Sequence, residues 1–264
     1  MSQNDVNMYD VNECVAQLYD QIENHTTDVR LLRELIANGG PLRILEPFCG
    51  TGRILIPLVE DGHTLVGIDQ AGAMLRRADD KLTAQNRDRV TLLEADATAG
   101  GWPTGFDLVV LGGNCFYELA TPDEQEACIA AAAASLLPGG HLFLDNDHME
   151  GELAESWRRP GVSIGSFPTG TCQDGTRLEG RMETIWYDAP RRLARFRRGL
   201  TVTFPDGHVV DREWMQQKHP VSVVEIRGWL ARHGFVIEQM FGDHAGNPYT
   251  DQSSRATFWA RKQS

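Results

Sequence analysis

Acidic residues end three successive apolar segments, and a glycine-rich turn follows the first of them. Glu46 ends LRILE, Asp69 ends TLVGID and Asp96 ends VTLLEAD, so the acids are separated by 23 and 27 positions. The turn FCGTGR spans 48–53, where glycine lets the backbone approach a ligand and a helix start offers unpaired N–H groups. A carboxylate after the second strand can accept both hydroxyls of a ribose, and one after the third can accept an adenine amino group. The pattern therefore indicates a site for an adenosine-containing ligand.

Each of these features also has a purely structural explanation. Glycine-rich turns between a strand and a helix are common, and an acid at a strand end often caps a helix or faces solvent. The turn also differs from the dinucleotide pattern GxGxxG, because it reads F-C-G-T-G-R from Phe48. Three acids at successive strand ends beside this turn nevertheless favour ligand binding, since ligands of open α/β sheets lie outside the carboxyl ends of the strands.

The elements that would position these residues alternate between strands and helices. Predicted strands occupy 42–48, 63–69, 89–96, 106–113 and 141–147, and predicted helices lie within 9–37 (broken near 24–27), from Arg53 onward, and over 71–83 and 121–137. This alternation predicts a mostly parallel, doubly wound α/β sheet. The segment 138–140 (PGG) is expected to end the last of these helices.

The pattern changes after residue 147. Residues 160–220 contain no good helix and predict three antiparallel strands, with turns at 188–190 and 205–207. Ser222 and Glu225 form a predicted capping box for a helix that stops at Gly234, and two further strands close the chain.

Composition limits the possible partners. The chain of 264 residues has 25 basic and 37 acidic residues, a formal net charge of −12, and its ordinary apolar content predicts a folded protein. Nucleic-acid-binding domains are usually basic, so we expect no nucleic-acid partner. No apolar segment approaches the roughly 18 residues of a membrane span, and the polar residues 1–12 indicate no secretory signal. Five cysteines without a CxxC spacing predict free thiols, no zinc site and a cytoplasmic location.

The segments LEPFCGTG, VGID, EAD, FDLVVLGG and LLPGGHLFLD together resemble class I S-adenosylmethionine-dependent methyltransferases over about 42–147. The resemblance implies a Rossmann-like sheet of seven strands and S-adenosyl-L-methionine as cofactor. It also implies that Glu46 supports the glycine turn, that Asp69 holds the ribose and that Asp96 and Ala97 address the adenine. The other implied cofactor contacts are Phe48, Cys49, Gly50, Thr51, Gly52, Gln70, Met74, Gly113 and Asn114. The family usually has glycine where Phe48 stands.

The segments QLYD, LGGNCFYEL and LDNDHME resemble glycine and sarcosine N-methyltransferases more narrowly, and imply that Tyr19 covers the site. Two arginines of those enzymes have no counterpart here. The one a few residues after the tyrosine is replaced by His-Thr-Thr at 25–27, and the one past the fifth strand, which holds the substrate carboxylate, is replaced by Asp147. Glycine itself is therefore not expected to be the acceptor. A small-molecule acceptor is expected, with N-methylation slightly preferred over O-methylation.

The resemblance divides the chain into N-terminal helices that cap the site (1–40), a cofactor-binding core (41–147), an antiparallel β insertion covering the site (148–220) and a C-terminal helix and hairpin (221–264). Candidate residues on the acceptor side are Asn114, Tyr117, Asp147 and His148, with Asp145 as a further acid. They could orient an acceptor or take its proton, although methyl transfer needs no base when the acceptor already has a lone pair.

Several alternatives stay open on the sequence alone. Arg191–Arg198 could bind an anion or form a solvated strand face paired with acids such as Glu179 and Glu183. The aromatic residues Trp186, Tyr187, Trp214 and Tyr249 could line a pocket or form core. A non-catalytic protein that binds the same cofactor and, less favoured, a nicotinamide-dependent oxidoreductase are the rival functions.

Overall fold

The computed structural model describes Tyr9 and residues 13–263. Two β-sheets organise the chain: one of seven strands, in the order β10-β11-β5-β4-β1-β2-β3, and one of four, in the order β6-β7-β8-β9. The strands are β1 Arg43–Pro47, β2 Thr64–Asp69, β3 Val90–Glu94, β4 Phe106–Leu111, β5 Leu136–Asp147, β6 Ser163–Thr171, β7 Arg177–Asp188, β8 Leu193–Thr203, β9 Val209–Lys218, β10 Phe235–Phe241 and β11 Arg255–Lys262. The helices are α1 Glu13–Ile22, α2 Thr27–Ile36, α3 Leu55–Glu60, α4 Gly72–Asp80, α5 Pro122–Ser135, α6 Glu155–Arg158 and α7 Val223–Arg232.

The seven-stranded sheet is parallel except at β11, which runs antiparallel to both β5 and β10. Its central strands are apolar and buried on both faces, as strands covered by helices must be. Glu46 of β1 pairs with Gly67 of β2, and Asp69 of β2 pairs with Glu94 of β3. The carboxyl ends of these strands therefore meet at one edge, and the strand order reverses between β1 and β4, where ligands of such sheets bind. The predicted doubly wound, seven-stranded fold is confirmed.

Some predicted boundaries are wrong. The helix after the glycine turn begins at Leu55 rather than at Arg53. Asp96 does not end a strand, because β3 stops at Glu94 and Asp96 caps the short 3-10 turn Ala97–Ala99. Helix α5 ends at Ser135, two residues before the predicted end at 137, and residues 138–140 belong to the beginning of β5.

The second sheet has four antiparallel strands rather than the three predicted. The additional strand, β6, has the sequence SIGSFPTGT, whose glycines and proline are unfavourable in strands, so the local pattern concealed it. One face of this sheet packs on α1 through a cluster that includes Leu18, Leu178, Leu200 and Trp214. The insertion thus holds α1 beside the carboxyl edge of the larger sheet. The four-part division of the chain stays a prediction.

A disulfide joins Cys14 of α1 to Cys172, which follows β6, with their Cα atoms 5.9 Å apart. The prediction of five free thiols is therefore wrong, because two cysteines 158 positions apart meet where α1 packs on the insertion. The other three cysteines, Cys49, Cys115 and Cys128, are free and buried.

At the C-terminal side, α7 has the predicted capping box, in which Ser222 and Glu225 bond reciprocally, and Gly234 follows it at φ +76°. Across Tyr9 and residues 13–263, no helix combines the length and the apolar character that a membrane crossing requires.

Candidate cofactor and acceptor site

A cleft opens at the carboxyl edge of the large sheet, bounded by α1, by the turns after β1 to β4 and by β9. Most of the predicted cofactor-binding residues line it: Tyr19, Glu46, Phe48, Cys49, Gly50, Asp69, Gln70, Met74, Asp96, Ala97 and Gly113. The fold therefore brings together residues that are as many as 94 positions apart in the chain, from Tyr19 to Gly113.

The glycine turn owes its path to left-handed backbone conformations. The backbone φ angles of Phe48, Gly50 and Gly52 are +62°, +53° and +79°. Residues other than glycine rarely adopt this left-handed region. Phe48 thus takes the conformation of the glycine that usually stands there, at a cost of order 1 kcal/mol. The ring of Phe48 packs against the apolar core beneath the cleft, which offsets this strain.

Glycine at position 67 lets the turn lie directly on β2. A Cβ atom there would lie 2.8 Å from Cys49 Sγ and 2.8 Å from a methyl group of Leu55. The Cys49 amide donates to the Ile68 carbonyl oxygen at 2.9 Å, which pins the turn to the second strand.

Asp69 joins two backbone segments at the rim of the cleft. Its Oδ2 accepts from the Gly50 amide at 2.9 Å, and its Oδ1 accepts from the Ala71 amide at 2.8 Å, just before α4. A carboxylate oxygen has more than one acceptor site, so these bonds leave capacity for a ligand hydroxyl.

Glu46 lies in the wall of the cleft with only 4% of its surface exposed. Its Oε2 has no hydrogen-bond partner among the described residues. Burial raises the pKa of this carboxyl to about 8, although the positive charge of Arg53 opposes the rise. A buried acceptor without a donor is rare in folded proteins and is consistent with a group that receives a ligand donor.

Arg53 is a lining residue that the sequence analysis did not select. Its guanidinium donates to both carboxylate oxygens of Asp28, at 2.7 and 2.6 Å, and to the His25 carbonyl oxygen at 2.9 Å. The position of Arg53 directly after Gly52 could have indicated a place in the site. Its partner Asp28, in α2, is 25 positions away and could not be predicted from a local pattern.

Thr51 and Gly52, two of the predicted cofactor contacts, do not line the cleft. The Thr51 hydroxyl donates to Asp20 Oδ1 at 2.5 Å, and the Lys81 ammonium donates to the Thr51 carbonyl oxygen at 2.8 Å. The Thr51 contacts tie the turn to α1 and to the end of α4. Gly52 packs against Ile56 and Ala78 of the following helices.

The adenine-side candidates lie together at one end of the cleft. The side chain of Asp96 accepts from the Thr98 amide at 2.8 Å and from the Thr98 hydroxyl at 2.7 Å. Asp96 therefore also caps a helical turn, which is the structural role open to an acid at a strand end. Met74 is buried at the start of α4, and Gln70 is exposed at the rim.

Asn114 and Asp147, both proposed for the acceptor side, contact each other and Arg255 outside the cleft lining. Asn114 has φ +58°, and its Oδ1 accepts from the Asp147 amide and from Arg255 Nη2, each at 2.9 Å. Arg255 Nη1 also donates to Asp147 Oδ1 at 2.6 Å. These contacts join the ends of β4, β5 and β11.

Asp145 belongs to the same buried group. Burial alone would raise its pKa, but the hydrogen bond from His244 and the charge of Arg255 lower the pKa of Asp145 to about 2. The side chain is therefore a fixed structural anion that cannot easily take a proton near neutral pH.

His148 and Tyr117 do not line the main cleft either. His148 Nδ1 lies 2.7 Å from the Ser253 carbonyl oxygen, and its Nε2 lies 3.1 Å from the Tyr249 hydroxyl. The Tyr117 hydroxyl contacts Met149 Sδ at 2.8 Å, beside a small apolar void behind the site. The catalytic roles of Asn114, Tyr117, Asp147 and His148 stay predictions.

Glu118 is a carboxylate that lines the cleft and that was not selected from the sequence. It ends the 3-10 turn Cys115–Glu118 that follows β4. Its Oε2 accepts from Gln216 Nε2 at 3.1 Å and its Oε1 from the Lys218 ammonium at 3.3 Å, both on β9. Burial lowers the pKa of Lys218, while Glu118 opposes that change.

Three arginines of β8 and its preceding turn have partners within the protein. Arg197 pairs with Glu183 at 2.9 Å, and Arg192 donates to the Met149 and Pro220 carbonyl oxygens at 2.7 Å each. Arg198 is buried and donates to Gln216 Oε1 at 2.9 Å and to the Phe167 carbonyl oxygen at 2.8 Å. Trp214 belongs to the core between α1 and the insertion.

Comparisons with known proteins agree with this architecture. Residues 44–140 match the methyltransferase domain family. The chain is 27% identical over 254 residues to cypemycin N-terminal methyltransferase from a Streptomyces species, covering 94% of this chain and 95% of that protein. It is 30% identical over 171 residues to glycine N-methyltransferase of Oryctolagus cuniculus. That match covers 57% of this chain and 56% of the rabbit enzyme, so it spans only about half of that enzyme.

A similar solved structure is an S-adenosylmethionine-dependent methyltransferase from Clostridium acetobutylicum, with a TM-score of 0.72 and 14% identity over 94% of this chain and 98% of that one. Residues 44–140 thus carry a methyltransferase domain, and the sheet has the fold of S-adenosylmethionine-dependent methyltransferases. The family match and the relatives together support an S-adenosylmethionine-dependent methyltransferase.

Proposed function

We propose that this enzyme transfers a methyl group from S-adenosylmethionine to the amine nitrogen of a small molecule. When bound, the cofactor supplies a methyl group that moves to the acceptor's lone pair while the electrons of the broken C–S bond stay on sulfur. The observation that carries the proposal is the charge of the cleft. Among the described residues that line it, five carry carboxyl groups (Glu46, Asp69, Asp96, Glu118 and Glu124) and one, Arg53, is a cation. The raised pKa of Glu46 means that its carboxyl holds a proton near neutral pH until a ligand cation favours the ionised form.

The cofactor fits this lining at both of its ends. The unpartnered Oε2 of Glu46 suits the α-ammonium of the methionine portion, because that group would supply the missing donor. Arg53 suits the carboxylate of the same portion, and its pairing with Asp28 holds the guanidinium in place. Asp69 would accept ribose hydroxyls, Asp96 and Ala97 would face the adenine, and Phe48 to Gly50 would contact the methionine portion.

A nitrogen acceptor is supported by the same charges. The acceptor nitrogen gains positive charge as the new bond forms, and carboxylates in a cleft of low dielectric stabilise that charge. A relative that aligns along almost the whole chain is named for methylation of an N-terminus, and the glycine enzymes are named for methylation of nitrogen. An alcohol acceptor would instead need a base within reach of its hydroxyl.

The chain's own residues would act mainly by positioning. The disulfide and the apolar contacts of α1 with the insertion hold Tyr19 over the glycine turn, where Tyr19 Cε1 lies 3.9 Å from the position of a Cβ on Gly50. Cover of this kind excludes water and fixes the acceptor behind the methyl carbon, and orientation alone can supply several kcal/mol of the barrier.

The test is turnover on acceptors that differ only at the attacking atom. Alaninamide and lactamide are such a pair, and 2-amino-2-deoxyglucose and glucose are another. We expect S-adenosylhomocysteine to form with one or more of the amines and not with their hydroxyl partners. Turnover confined to the hydroxyl partners, or no turnover on any amine of a broader panel, would contradict N-methylation.

A further inference from the structure

Resting on the proposed function, we infer that Glu118 is the residue that binds the acceptor amine and gives the enzyme its preference for nitrogen. Its carboxylate lines the cleft on the β4 side, opposite the end formed by Asp96 and Ala97 after β3. The order of the strands places β1 and β2 between these two ends. A cofactor whose adenosine lies toward β3 therefore directs its reacting end toward Glu118.

Glu118 is held in one orientation by the insertion. Gln216 is buried, lines the cleft and donates through Nε2 to Glu118 Oε2 at 3.1 Å. The Gln216 amide is itself oriented, because its Oε1 accepts from Arg198 Nη1 at 2.9 Å. Lys218, which is 9% exposed at its side chain, donates to Glu118 Oε1 at 3.3 Å. Preorganised groups of this kind lose little conformational entropy when a ligand binds.

The carboxylate still has capacity for a ligand. Two ionised oxygens offer about four acceptor sites, and Gln216 and Lys218 occupy two of them. The side chain of Glu118 is 35% exposed, in contrast to Lys218 behind it, so its open side faces the cleft. An amine N–H can bond there and leave the nitrogen lone pair directed elsewhere, and the carboxylate would stabilise the positive charge that the nitrogen gains.

Two of the other acids in the cleft are engaged by backbone amides instead. Asp69 accepts from the Gly50 and Ala71 amides, and Glu124 accepts from the Ala120 amide at 2.6 Å. Glu118 is held by two side chains of β9 in the insertion, Gln216 and Lys218, which are 98 and 100 positions away in the sequence. The insertion therefore determines how the acceptor group is presented.

Sinefungin provides a probe that needs no knowledge of the acceptor, because it carries an ammonium group in place of the methylated sulfonium. Calorimetry would compare sinefungin with S-adenosylhomocysteine, which lacks both the methyl group and the added charge. For Glu118→Gln we expect sinefungin affinity to fall about 10- to 100-fold, as for loss of a charged hydrogen bond, with S-adenosylhomocysteine affinity unchanged. Glu118→Asp should recover part of the loss, because it keeps the charge.

Glu213→Gln is the matched control, since Glu213 lies on β9, the strand that holds Glu118, but pairs with Arg181 on the exposed face of the sheet. It should change neither affinity. Equal losses for both ligands in Glu118→Gln, or no loss for either, would overturn the inference. If the wild type itself bound neither ligand, the proposed function would fail. That result differs from one in which the wild type binds both ligands and Glu118→Gln does not selectively lose affinity for sinefungin.

Discussion

The Asp69 carboxylate accepts the Gly50 amide at 2.9 Å, so the acid that ends β2 holds the glycine turn that follows β1. The same carboxylate accepts the Ala71 amide at 2.8 Å and thereby also fixes the start of α4. The residue that the sequence analysis assigns to the ribose is thus also the link between the two halves of the cofactor site. Its removal should disturb binding through both roles.

Asp69→Ala should weaken S-adenosylhomocysteine binding about 100-fold, because hydrogen bonds to a charged group each contribute about 1.5–3 kcal/mol. Calorimetry measures the change. Asp88→Ala, in the exposed turn before β3, is the control and should bind normally. Normal affinity in a folded Asp69→Ala protein would contradict the assignment.

Glu46 should make the ligand-free protein less stable as the pH rises. Burial raises its pKa to about 8, above that of the unfolded chain, so the folded state binds the extra proton between about pH 4.5 and 8. The stability associated with this proton is complete below pH 4.5 and is lost as the pH rises through 8, by up to about 5 kcal/mol.

Urea unfolding of wild type and Glu46→Gln across that range provides the measurement. The difference in unfolding free energy between the two proteins should grow in favour of Glu46→Gln with increasing pH. Parallel pH profiles for the two proteins would show that Glu46 is not the group responsible.

Asn114→Ala should lower the free energy of unfolding by about 1–3 kcal/mol, because its Oδ1 accepts from both Asp147 and Arg255, and alanine is strained at φ +58°. Asn114→Gly keeps the backbone conformation and loses only the amide, so it separates the two causes. Full stability together with lost turnover would instead support the acceptor-side role that the sequence suggested.

The Cys14–Cys172 disulfide should stabilise the packing of α1 on the insertion. Cross-links that close long loops typically contribute about 2–4 kcal/mol, and this pair is 158 positions apart. Thiol titration of the air-oxidised, denatured protein should find three thiols. Cys14→Ser and Cys172→Ser should lower the melting temperature by the same amount, and the variant with both substitutions should show no further decrease. Five titratable thiols would contradict the bond.

The strands of the large sheet, the glycine turn and many residues that line the cleft could be predicted from the sequence, because each has a local signal. The strands β1 and β2 are five and six residues long with apolar residues at their centres, and Asp69 directly ends β2. The family resemblance then assigned roles that spacing alone could not.

The acceptor side could not be predicted in the same way, because its contacts are long-range. Glu118 meets Gln216 across 98 positions, and Cys14 meets Cys172 across 158. The strand β6, which helps to support this region, lacks the alternating apolar pattern on which strand prediction depends. The residues selected from the sequence, Asn114 and Asp147, follow β4 and end β5, but their side chains are directed to Arg255 rather than to the cleft.

The most direct test of the central claim is thermal unfolding with S-adenosylmethionine, S-adenosylhomocysteine, NAD and buffer alone. A ligand that binds only the folded state stabilises it by about 2.7 kcal/mol at a hundredfold excess over its dissociation constant. The structure predicts a clear rise in melting temperature with both sulfur nucleotides and none with NAD. The absence of a rise with either sulfur nucleotide would contradict a cofactor site in this cleft.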